Sequence, residues 1–577
     1  MVVAACERLA VASVLADLQG GAQAEVGLAT FDKTVHYYSV RPGQQPKMMV
    51  VPDVAEAYSP FPSVVLANAQ ECLGELRALL ESLPDMYKEA AGGGCCTVAA
   101  IASACKLLEH RGGKLTAFIS SLAKVGLGKL EERGGAAGAG GPDKEPVKGL
   151  RPQQESEFRS WAAAAADNQV CIDLFVMPRS HIEIATLKLF TETTGGSLYY
   201  YGDFDVAMDE AQMFNDLRWN VVRPQALEAV MRVRASQGVS VDEYVGAYNV
   251  RTVSDIDLPA IDCDKSIIVK LGHDSKLKEG PEASFQCALL YTTTQGERRI
   301  RVHTLSLSTS SSMSSLFRGA DPDAQLLHIA RRTALNLPGV SPFNARDQAL
   351  ASAINILYTY RKFCASSSSA GQLILPEALK LLPLFILALR KSPALNPRMR
   401  LDARAAWCSK ILSMPPQAFI PSIYPRLFEI HNLVDRPEHM KGKMPPPLSL
   451  SYEKLDPKGV YLLEDGSNAY IWAAKGASGE AVQNLLGTHA ADLTNPDARQ
   501  TMPVTLRRTG TPENEALCDL LDNVRRERSC FLRLRIVKHS EPLEQHFFNL
   551  LVEDRNQLGM SYVEFLCHVH RQIQNKF

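Results

Sequence analysis

Apolar positions in the first 205 residues recur at two spacings, and the two kinds of segment follow each other along the chain. Short apolar runs indicate strands, and apolar residues three and four apart indicate helices. We expect strands at Val26–Ala29, Val35–Tyr38, Met48–Val51, Leu115–Ile119, Cys171–Val176 and Ser197–Tyr201. We expect helices at residues 3–18, 63–83, 97–109 and 182–193. This alternation predicts an α/β sheet covered by helices on both faces.

The pattern changes between residues 230 and 308, where strands follow one another without helices. The segments are Val230–Arg234, Ile267–Leu271, Phe285–Tyr291 and Arg298–Leu307, and turns rich in glycine, aspartate and proline separate them. Successive short strands of this kind predict a β-sandwich.

Helical periodicity follows in residues 320–434, with Leu350–Tyr360 as one candidate helix. A second helix is predicted from one apolar stripe at helical spacing. The stripe consists of Leu375, Ala378, Leu379, Leu382, Ile386 and Leu389.

A proline run, Pro445–Pro447, indicates a linker before the last part of the chain. The segments Val460–Glu464 and Ala469–Ala473 flank an Asp-Gly turn and predict a hairpin. A strand at Phe531–Val537 and a helix at Tyr562–Ile573 complete a small α+β domain.

The composition is that of a globular protein with several domains. Of 577 residues, 46% are hydrophobic and 22% are charged, and the net charge is −1. Because there is no global basic excess, general nucleic-acid binding is not expected. No apolar run approaches the ~20 residues of a membrane-spanning helix. The first residues lack the basic flank and apolar core of a secretory signal, so we expect a cytosolic protein.

The cysteine and glycine patterns argue against three further features. The 13 cysteines are scattered, without a Cys-x-x-Cys pair, so neither a disulfide framework nor a zinc knuckle is expected. The stretch Gly134–Pro142 predicts a flexible surface loop, since it lacks the lysine and hydroxyl residue of a phosphate-binding loop.

Several residue strings, in order along the chain, resemble the cargo-adaptor subunit of the COPII inner coat. They are Val26–Asp32, Gln45–Asp53, Thr193–Ser197, Arg298–Leu305, Ser369–Glu377, Tyr424–Leu427 and Ser561–His568. The last string is most similar to the vertebrate C/D-like branch. Their order over most of the chain makes the resemblance specific.

The resemblance implies a multidomain fold in the order α/β, β, α and α+β. We expect a von Willebrand A-like trunk at 1–225, a β-sandwich at 226–310, a helical domain at 311–440, and a gelsolin-like domain with a C-terminal helix at 441–577. The family also has an N-terminal disordered region, strands that complete the sandwich, a four-cysteine zinc ribbon and a first trunk strand. None of these has a counterpart in this sequence. The trunk is therefore expected to lack its central strand, and zinc is expected only in a longer form, with no cofactor in this chain.

The resemblance also implies a function in binding and not in catalysis. Such an adaptor binds sorting signals on the cytosolic tails of cargo membrane proteins while vesicles form between the ER and the Golgi. Its implied partner is the GTPase-activating inner-coat subunit, which docks trunk to trunk, and a membrane-bound Sar-type small GTPase recruits the pair. The expected location is cytoplasmic, peripheral on the cytosolic face of ER exit sites and COPII vesicles.

The best candidate site is the strand Arg298–Leu307. At period two, Arg299, Arg301 and His303 share one face, and Ile300 and Val302 are expected to face the core. Because the apolar alternation slips near Thr304, we also expect a bulge there. Guanidinium groups on a rigid strand suit bidentate hydrogen bonding to carboxylates. The resemblance implies that acidic sorting signals bind at this strand. The alternative is a solvated face whose arginines pair with local glutamate or aspartate.

Two more arginines, Arg232 and Arg234, alternate with Met231 and Val233 on another predicted strand. They are candidates for a basic face toward anionic lipid, where each basic residue contributes about 1 kcal/mol. The alternative is a plain exposed strand face.

Two other functions remain open from the sequence. An α/β hydrolase is disfavoured because there is no Gly-x-Ser-x-Gly elbow, no Walker motif and no His-Glu-x-x-His. A truncated fragment without function would keep the family's residues but not a stable fold. A cooperative thermal melt distinguishes that fragment from a working adaptor.

Overall fold

The computed structural model describes residues 24–88, 94–133, 149–252, 254–277, 282–365, 371–435, 443–487, 506–528 and 530–576. The predicted helix at 3–18 and the predicted loop Gly134–Pro142 lie outside these residues. The strands are β1 Glu25–Val26, β2 Leu28–Phe31, β3 Val35–Ser39, β4 Lys47–Val51, β5 Ala67–Asn68, β6 Gly113–Ile119, β7 Val170–Val176, β8 Leu198–Tyr200, β9 Gln225–Ala235, β10 Val239–Val245, β11 Asn249–Val250, β12 Asp255–Asp262, β13 Ile268–His273, β14 Glu282–Thr293, β15 Arg298–Ser308, β16 Arg426–Glu429, β17 Val460–Glu464, β18 Asn468–Ala473 and β19 Arg533–Val537.

The helices alternate with the strands at first and dominate after β15. They are α1 Pro62–Val65, α2 Leu73–Met86, α3 Thr97–Leu107, α4 Glu155–Asp167, α5 Ile184–Thr194, α6 Val206–Val222, α7 Met313–Arg318, α8 Pro322–Asn336, α9 Pro342–Cys364, α10 Leu382–Lys391, α11 Leu401–Ser413, α12 Pro416–Ile423, α13 Gly479–Leu486, α14 Pro512–Arg526, α15 Pro542–Asn549 and α16 Tyr562–Gln574. No described helix has both the length and the apolar content needed to cross a membrane.

The chain divides into two compact units. The first comprises Met1–Ser311, Ala334–Pro342 and Pro397–Met414. The second comprises Ser312–Thr333, Phe343–Asn396 and Pro415–Phe577.

The α/β part of the first unit contains two separate three-stranded sheets. Strands β2, β3 and β4 form an antiparallel sheet, and β6, β7 and β8 form a parallel one. Every residue of β7 is buried, as expected for a strand covered on both faces. Within the described residues no strand bridges the two sheets.

The helix predicted at 63–83 is wrong in extent, because it divides into α1 and α2. Between them, Ala67–Asn68 pairs with Glu25–Val26 as a short two-stranded ladder. The Asn68 side chain accepts hydrogen bonds from the backbone N–H groups of Gln70 and Glu71 at 3.0 and 3.1 Å. An asparagine used in this way stabilises a turn in place of a helix.

The predicted β-sandwich is confirmed in the first unit. One sheet has five strands in the order β11-β12-β9-β14-β15, and the facing sheet has β10 and β13. The cluster between the sheets contains the buried residues Ala229, Met231, Tyr244, Ile256 and Leu258. Strand β15 is at one edge of the larger sheet. We call the face of this sheet that packs against the cluster its inner face.

The second unit begins with helices, and the helix predicted from the stripe at 375–389 is shorter than expected. Glu377–Leu379 is a single 3₁₀ turn, and the α-helix α10 begins only at Leu382. Pro383 explains the difference, because proline is tolerated in the first turn of a helix but breaks a helix interior. The helix can therefore start at this proline but not pass through it.

The predicted α+β domain is confirmed in the second unit, where β16, β17, β18 and β19 form one sheet. The hairpin of β17 and β18 occurs where the Asp-Gly turn predicts it, and β19 adds parallel to β18. Helix α16 starts at a capping box in which the Ser561 and Glu564 side chains bond each other's backbone N–H. The order α/β, β, α and α+β predicted from the sequence is thus confirmed.

Candidate functional site

The candidate strand β15 lies at the edge of the five-stranded sheet. In the part of the chain that the structure describes, it pairs with β14 alone. All eleven of its residues are exposed. Ile300 and Val302 are 69% and 49% exposed, so the prediction that they face the core is wrong. An edge strand of this length presents a row of backbone groups that are free to pair with another strand.

The register of β15 shows which face carries the arginines. Directly opposite pairs of an antiparallel ladder point to the same side, and Arg301 lies opposite Leu289. Leu289 packs against the cluster between the sheets. Arg299, Arg301 and His303 therefore project from the inner face, as one row, and Ile300 and Val302 project from the outer face.

The predicted bulge near Thr304 is also wrong. The pairing of β15 with β14 runs from Arg298 opposite Thr292 to Ser308 opposite Glu282 without a register shift. Leu305 and Leu307 consequently continue the inner row that begins with Arg299. The alternation of apolar residues is irregular in the sequence because β15 carries apolar side chains on both faces, and both faces are exposed.

An apolar cleft of about 370 Å³ opens beside the inner row. Its walls come from both sheets, and they include His303 and Leu305 on β15 and the residues opposite them, Cys287 and Phe285. From the facing side it is lined by apolar residues of and beside β13, among them Ile267, Val269 and Leu271. This cleft was not predicted from the sequence, although the alternating apolar residues of β14 were its signal.

The two arginines of the inner row differ in their partners. Arg299 forms an ion pair with Glu297, two residues earlier on the chain. The side chain of Arg301 makes no hydrogen bond or ion pair with the residues that the structure describes. The alternative interpretation, in which local acidic residues pair with the arginines, therefore applies to Arg299 and not to Arg301.

Arg232 and Arg234 lie on the opposite face of the same sheet. Arg232 is in register with Ala288, which is opposite Val302, so these residues share the outer face. Arg232 makes a forked contact with both carboxylate oxygens of Asp255. This contact holds the pKa of Asp255 below its usual value. Arg234 donates a hydrogen bond to Gln286 at 3.3 Å.

The zinc that the family resemblance implies has no candidate site among the residues that the structure describes. Among the described residues there is no group of three His, Cys, Asp or Glu side chains placed to hold a metal ion. The expectation that zinc belongs to a longer form is untested and stays a prediction.

Four family models match successive parts of the chain. The Sec23/Sec24 trunk domain matches residues 1–221, and the Sec23/Sec24 beta-sandwich domain matches residues 226–310. The Sec23/Sec24 helical domain matches residues 321–421, and the gelsolin repeat matches residues 441–513. The order of these models is the order of the folds described above.

Individual relatives are similar over nearly the whole chain. The Arabidopsis thaliana protein transport protein SEC24 B is 42% identical over 99% of this chain and 52% of its own length. Human Sec24C is 34% identical over 99% of this chain and 52% of its own length. The chain therefore spans about half the length of these curated relatives.

A solved structure extends the similarity to three dimensions. The crystal structure of the human COPII-coat protein Sec24c matches with a TM-score of 0.89 at 32% identity, over 100% of this chain and 74% of that one. The two chains therefore share both their three-dimensional fold and about a third of their aligned residues. The chain belongs to the Sec24 family of COPII-coat proteins.

Proposed function

We propose that this chain is a cargo adaptor of the COPII coat and that the inner row of β15 binds acidic sorting signals on cargo tails. The observation that carries the proposal is the exposed Arg301, whose guanidinium has no partner among the described residues. Arg299 lies two residues away on the same face, and its partner Glu297 is itself exposed. A ligand carboxylate can displace an exposed glutamate at little cost, because surface ion pairs contribute only about 0–1 kcal/mol.

The proposal includes the partners that family membership supports. The adaptor pairs through its trunk with the GTPase-activating inner-coat subunit, and a Sar-type GTPase recruits the pair to the cytosolic face of ER exit sites. Arg234 and Arg232, on the outer face of the sheet, contact anionic membrane. This assignment puts cargo and lipid on opposite faces of one sheet, so the two kinds of contact do not compete for the same arginines.

A peptide-binding experiment tests the cargo site. The full chain is titrated into a fluorescein-labelled acidic peptide, and anisotropy is followed for the wild type, Arg301→Ala and Arg299→Ala/Arg301→Ala. We expect the double variant to bind at least about tenfold more weakly, because charge-assisted hydrogen bonds to carboxylates are lost. Arg298→Ala is the matched control, since Arg298 is on the same strand but on the outer face, 3.5 Å from Glu228.

Equal affinity of the double variant and the control contradicts the assignment of the site. A cargo-packaging reaction with purified coat proteins provides the functional readout. There, the double variant should reduce packaging of acid-tailed cargo and leave vesicle yield unchanged.

A further inference from the structure

Two arginines of the second unit, Arg346 on α9 and Arg390 on α10, lie close together with one carboxylate beside them. Arg390 Nη1 donates hydrogen bonds to the backbone carbonyl of Arg346 at 2.8 Å and to Asp347 Oδ1 at 3.2 Å. The guanidinium of Arg390 also lies over the ring of Phe565 on α16, with its carbon Cζ 6.0 Å from the ring centre. Contacts with α9 and α16 therefore hold the Arg390 guanidinium in place.

The guanidinium of Arg346 is in a different environment. Its Nε atom is buried and has no acceptor among the residues that the structure describes. The side chain also forms no ion pair with those residues. Burial lowers the pKa of Arg346, and the positive charge of Arg390 lowers it further. A buried donor without an acceptor and two like charges at close range both cost free energy, and a bound anion removes both costs.

We propose that Arg346 and Arg390 form a binding site for the phosphoryl group of a phosphorylated serine or threonine in a protein segment. Such a phosphoryl group has a charge of about −1.5 to −2 at pH 7 and three acceptor oxygens. It accepts hydrogen bonds from both guanidinium groups and balances both positive charges, whereas the carboxylate of Asp347 balances only one. These residues belong to the second unit and β15 to the first, so the phosphoryl site is independent of the proposed cargo site.

The surroundings of the two arginines favour a protein segment over a membrane surface. The Arg390 side chain is only 23% exposed, so a phosphoryl group must project from its carrier to reach it, as a phosphorylated side chain does. Asp347, beside it, is 53% exposed and repels an extended anionic surface more than a single anionic group. Phe343 is one turn before Arg346 on α9 and 60% exposed, so it offers an apolar contact to a residue next to the phosphorylated one.

Fluorescence anisotropy with a phosphoserine peptide tests the site. The full chain is titrated into a fluorescein-labelled peptide with one phosphoserine between apolar residues and no other charged side chain, and into the unphosphorylated peptide. We expect the wild type to bind the phosphorylated peptide at least about tenfold more tightly, and Arg346→Gln to lose this preference. Arg555→Gln is the matched control, since this arginine is 78% exposed and has Glu564 as a partner at 3.0 Å.

Thermal unfolding provides a second readout that a purely structural role of Arg346 would not produce. Because its charge has no counter-charge of its own, Arg346→Gln should melt at the wild-type temperature or higher when no peptide is present. The phosphorylated peptide should raise the melting temperature of the wild type and not that of Arg346→Gln. A lower melting temperature of the free variant means that Arg346 has a structural partner, and it overturns the proposal.

The remaining outcomes separate this site from β15 and from lipid. Equal binding of the two peptides by the wild type overturns the proposal, and so does an unchanged preference in Arg346→Gln. If Arg299→Ala/Arg301→Ala loses the preference while Arg346→Gln keeps it, the phosphoryl group binds at β15, and only the further site is wrong. Phosphatidylcholine vesicles with a phosphoinositide are the lipid probe. If they bind the wild type more tightly than the peptide does, and bind Arg346→Gln weakly, the ligand is a lipid and the proposal is wrong.

Discussion

His181 and Asp402, which are 221 residues apart in the chain, are joined by a 3.0 Å contact between Nδ1 and Oδ2. The other ring nitrogen of His181 lies 3.1 Å from Glu183 Oε2. Asp402 also accepts hydrogen bonds from the backbone N–H groups of Ile182 and Ile184, each at 2.8 Å. The first turn of α11 is thereby fixed to the segment that leads into α5.

His181 should make the stability of the first unit depend on pH. Its hydrogen bonds to Asp402 and Glu183 raise the pKa of His181 from 6.5 to about 9. Because the folded state binds the proton more tightly, the stabilisation is complete below pH 6.5 and is lost as pH rises toward 9. We expect His181→Gln to lower the free energy of unfolding by about 2–3 kcal/mol at pH 6 and by much less at pH 9. Denaturant titrations at both pH values measure the difference. His110→Gln, at a side chain that is 87% exposed, is the control.

A second prediction concerns Glu464, whose side chain is fully buried. It accepts hydrogen bonds from Arg426 at 2.9 Å and from Arg528 at 2.9 and 2.7 Å. The Glu464→Gln variant keeps the shape of the side chain but removes the carboxylate that pairs with Arg528, while Arg426 retains only its 2.8 Å ion pair with Glu527. We expect a loss of about 3–5 kcal/mol in the stability of the second unit. Calorimetry of the variant measures this, and exposed Glu453→Gln should change the melting temperature little. A stability equal to that of the control contradicts the prediction.

Arg223 is the basis of a third prediction. Its guanidinium lies 2.7 Å from Asp262 and 3.2 Å from Asp264, and it also donates to the Ser197 hydroxyl at 3.1 Å. The group thus ties the end of α6 to the turn after β12. Arg223→Met should destabilise the first unit by about 3–5 kcal/mol, because it leaves a buried carboxylate with fewer partners. Arg223→Lys should lose less stability than Arg223→Met, since lysine restores the positive charge but cannot donate to two carboxylates with the planar geometry of a guanidinium group. Equal stability of the two variants in denaturant titrations contradicts this account.

Hydrogen exchange tests whether β15 is an open edge. About half of the amide groups of an edge strand point away from the sheet and exchange with solvent. We expect the segment Arg298–Ser308 to take up deuterium faster than Glu282–Thr293, which pairs with neighbours on both sides. Mass spectrometry of proteolytic peptides from exchanged protein measures both segments in one experiment. Equal protection means that another strand covers the edge.

Local chemistry was sufficient to predict much of the fold. The hairpin of β17 and β18 was predicted because Asp465-Gly466 suits a tight turn between two apolar runs. The last helix was predicted at Tyr562–Ile573 and occurs at Tyr562–Gln574. The two helices with incorrect bounds had local signals too, Asn68 and Pro383, but a continuous apolar stripe outweighed them in the sequence analysis.

The orientation of the site, in contrast, is not a local property. Alternation on β15 shows that Arg299, Arg301 and His303 share a face but not which way that face points. Apolar residues occur on both faces, at Ile300 and Val302 and at Leu305 and Leu307, so the hydrophobic pattern does not decide. The direction is set by pairing with Leu289 and Cys287, and it becomes visible only when the sheets are assembled.

The separation of the two trunk sheets affects how the first unit unfolds locally. Since no described backbone ladder joins β2–β4 to β6–β8, they are coupled through side chains and through α3, which contacts β6 and packs on Val35 and Tyr37. Opening one sheet breaks no hydrogen bond of the other. We therefore expect the two described sheets to unfold locally with separate free energies, whereas a continuous sheet would open as one. Proteolysis of the native state should start in one half of the trunk while the other half stays intact.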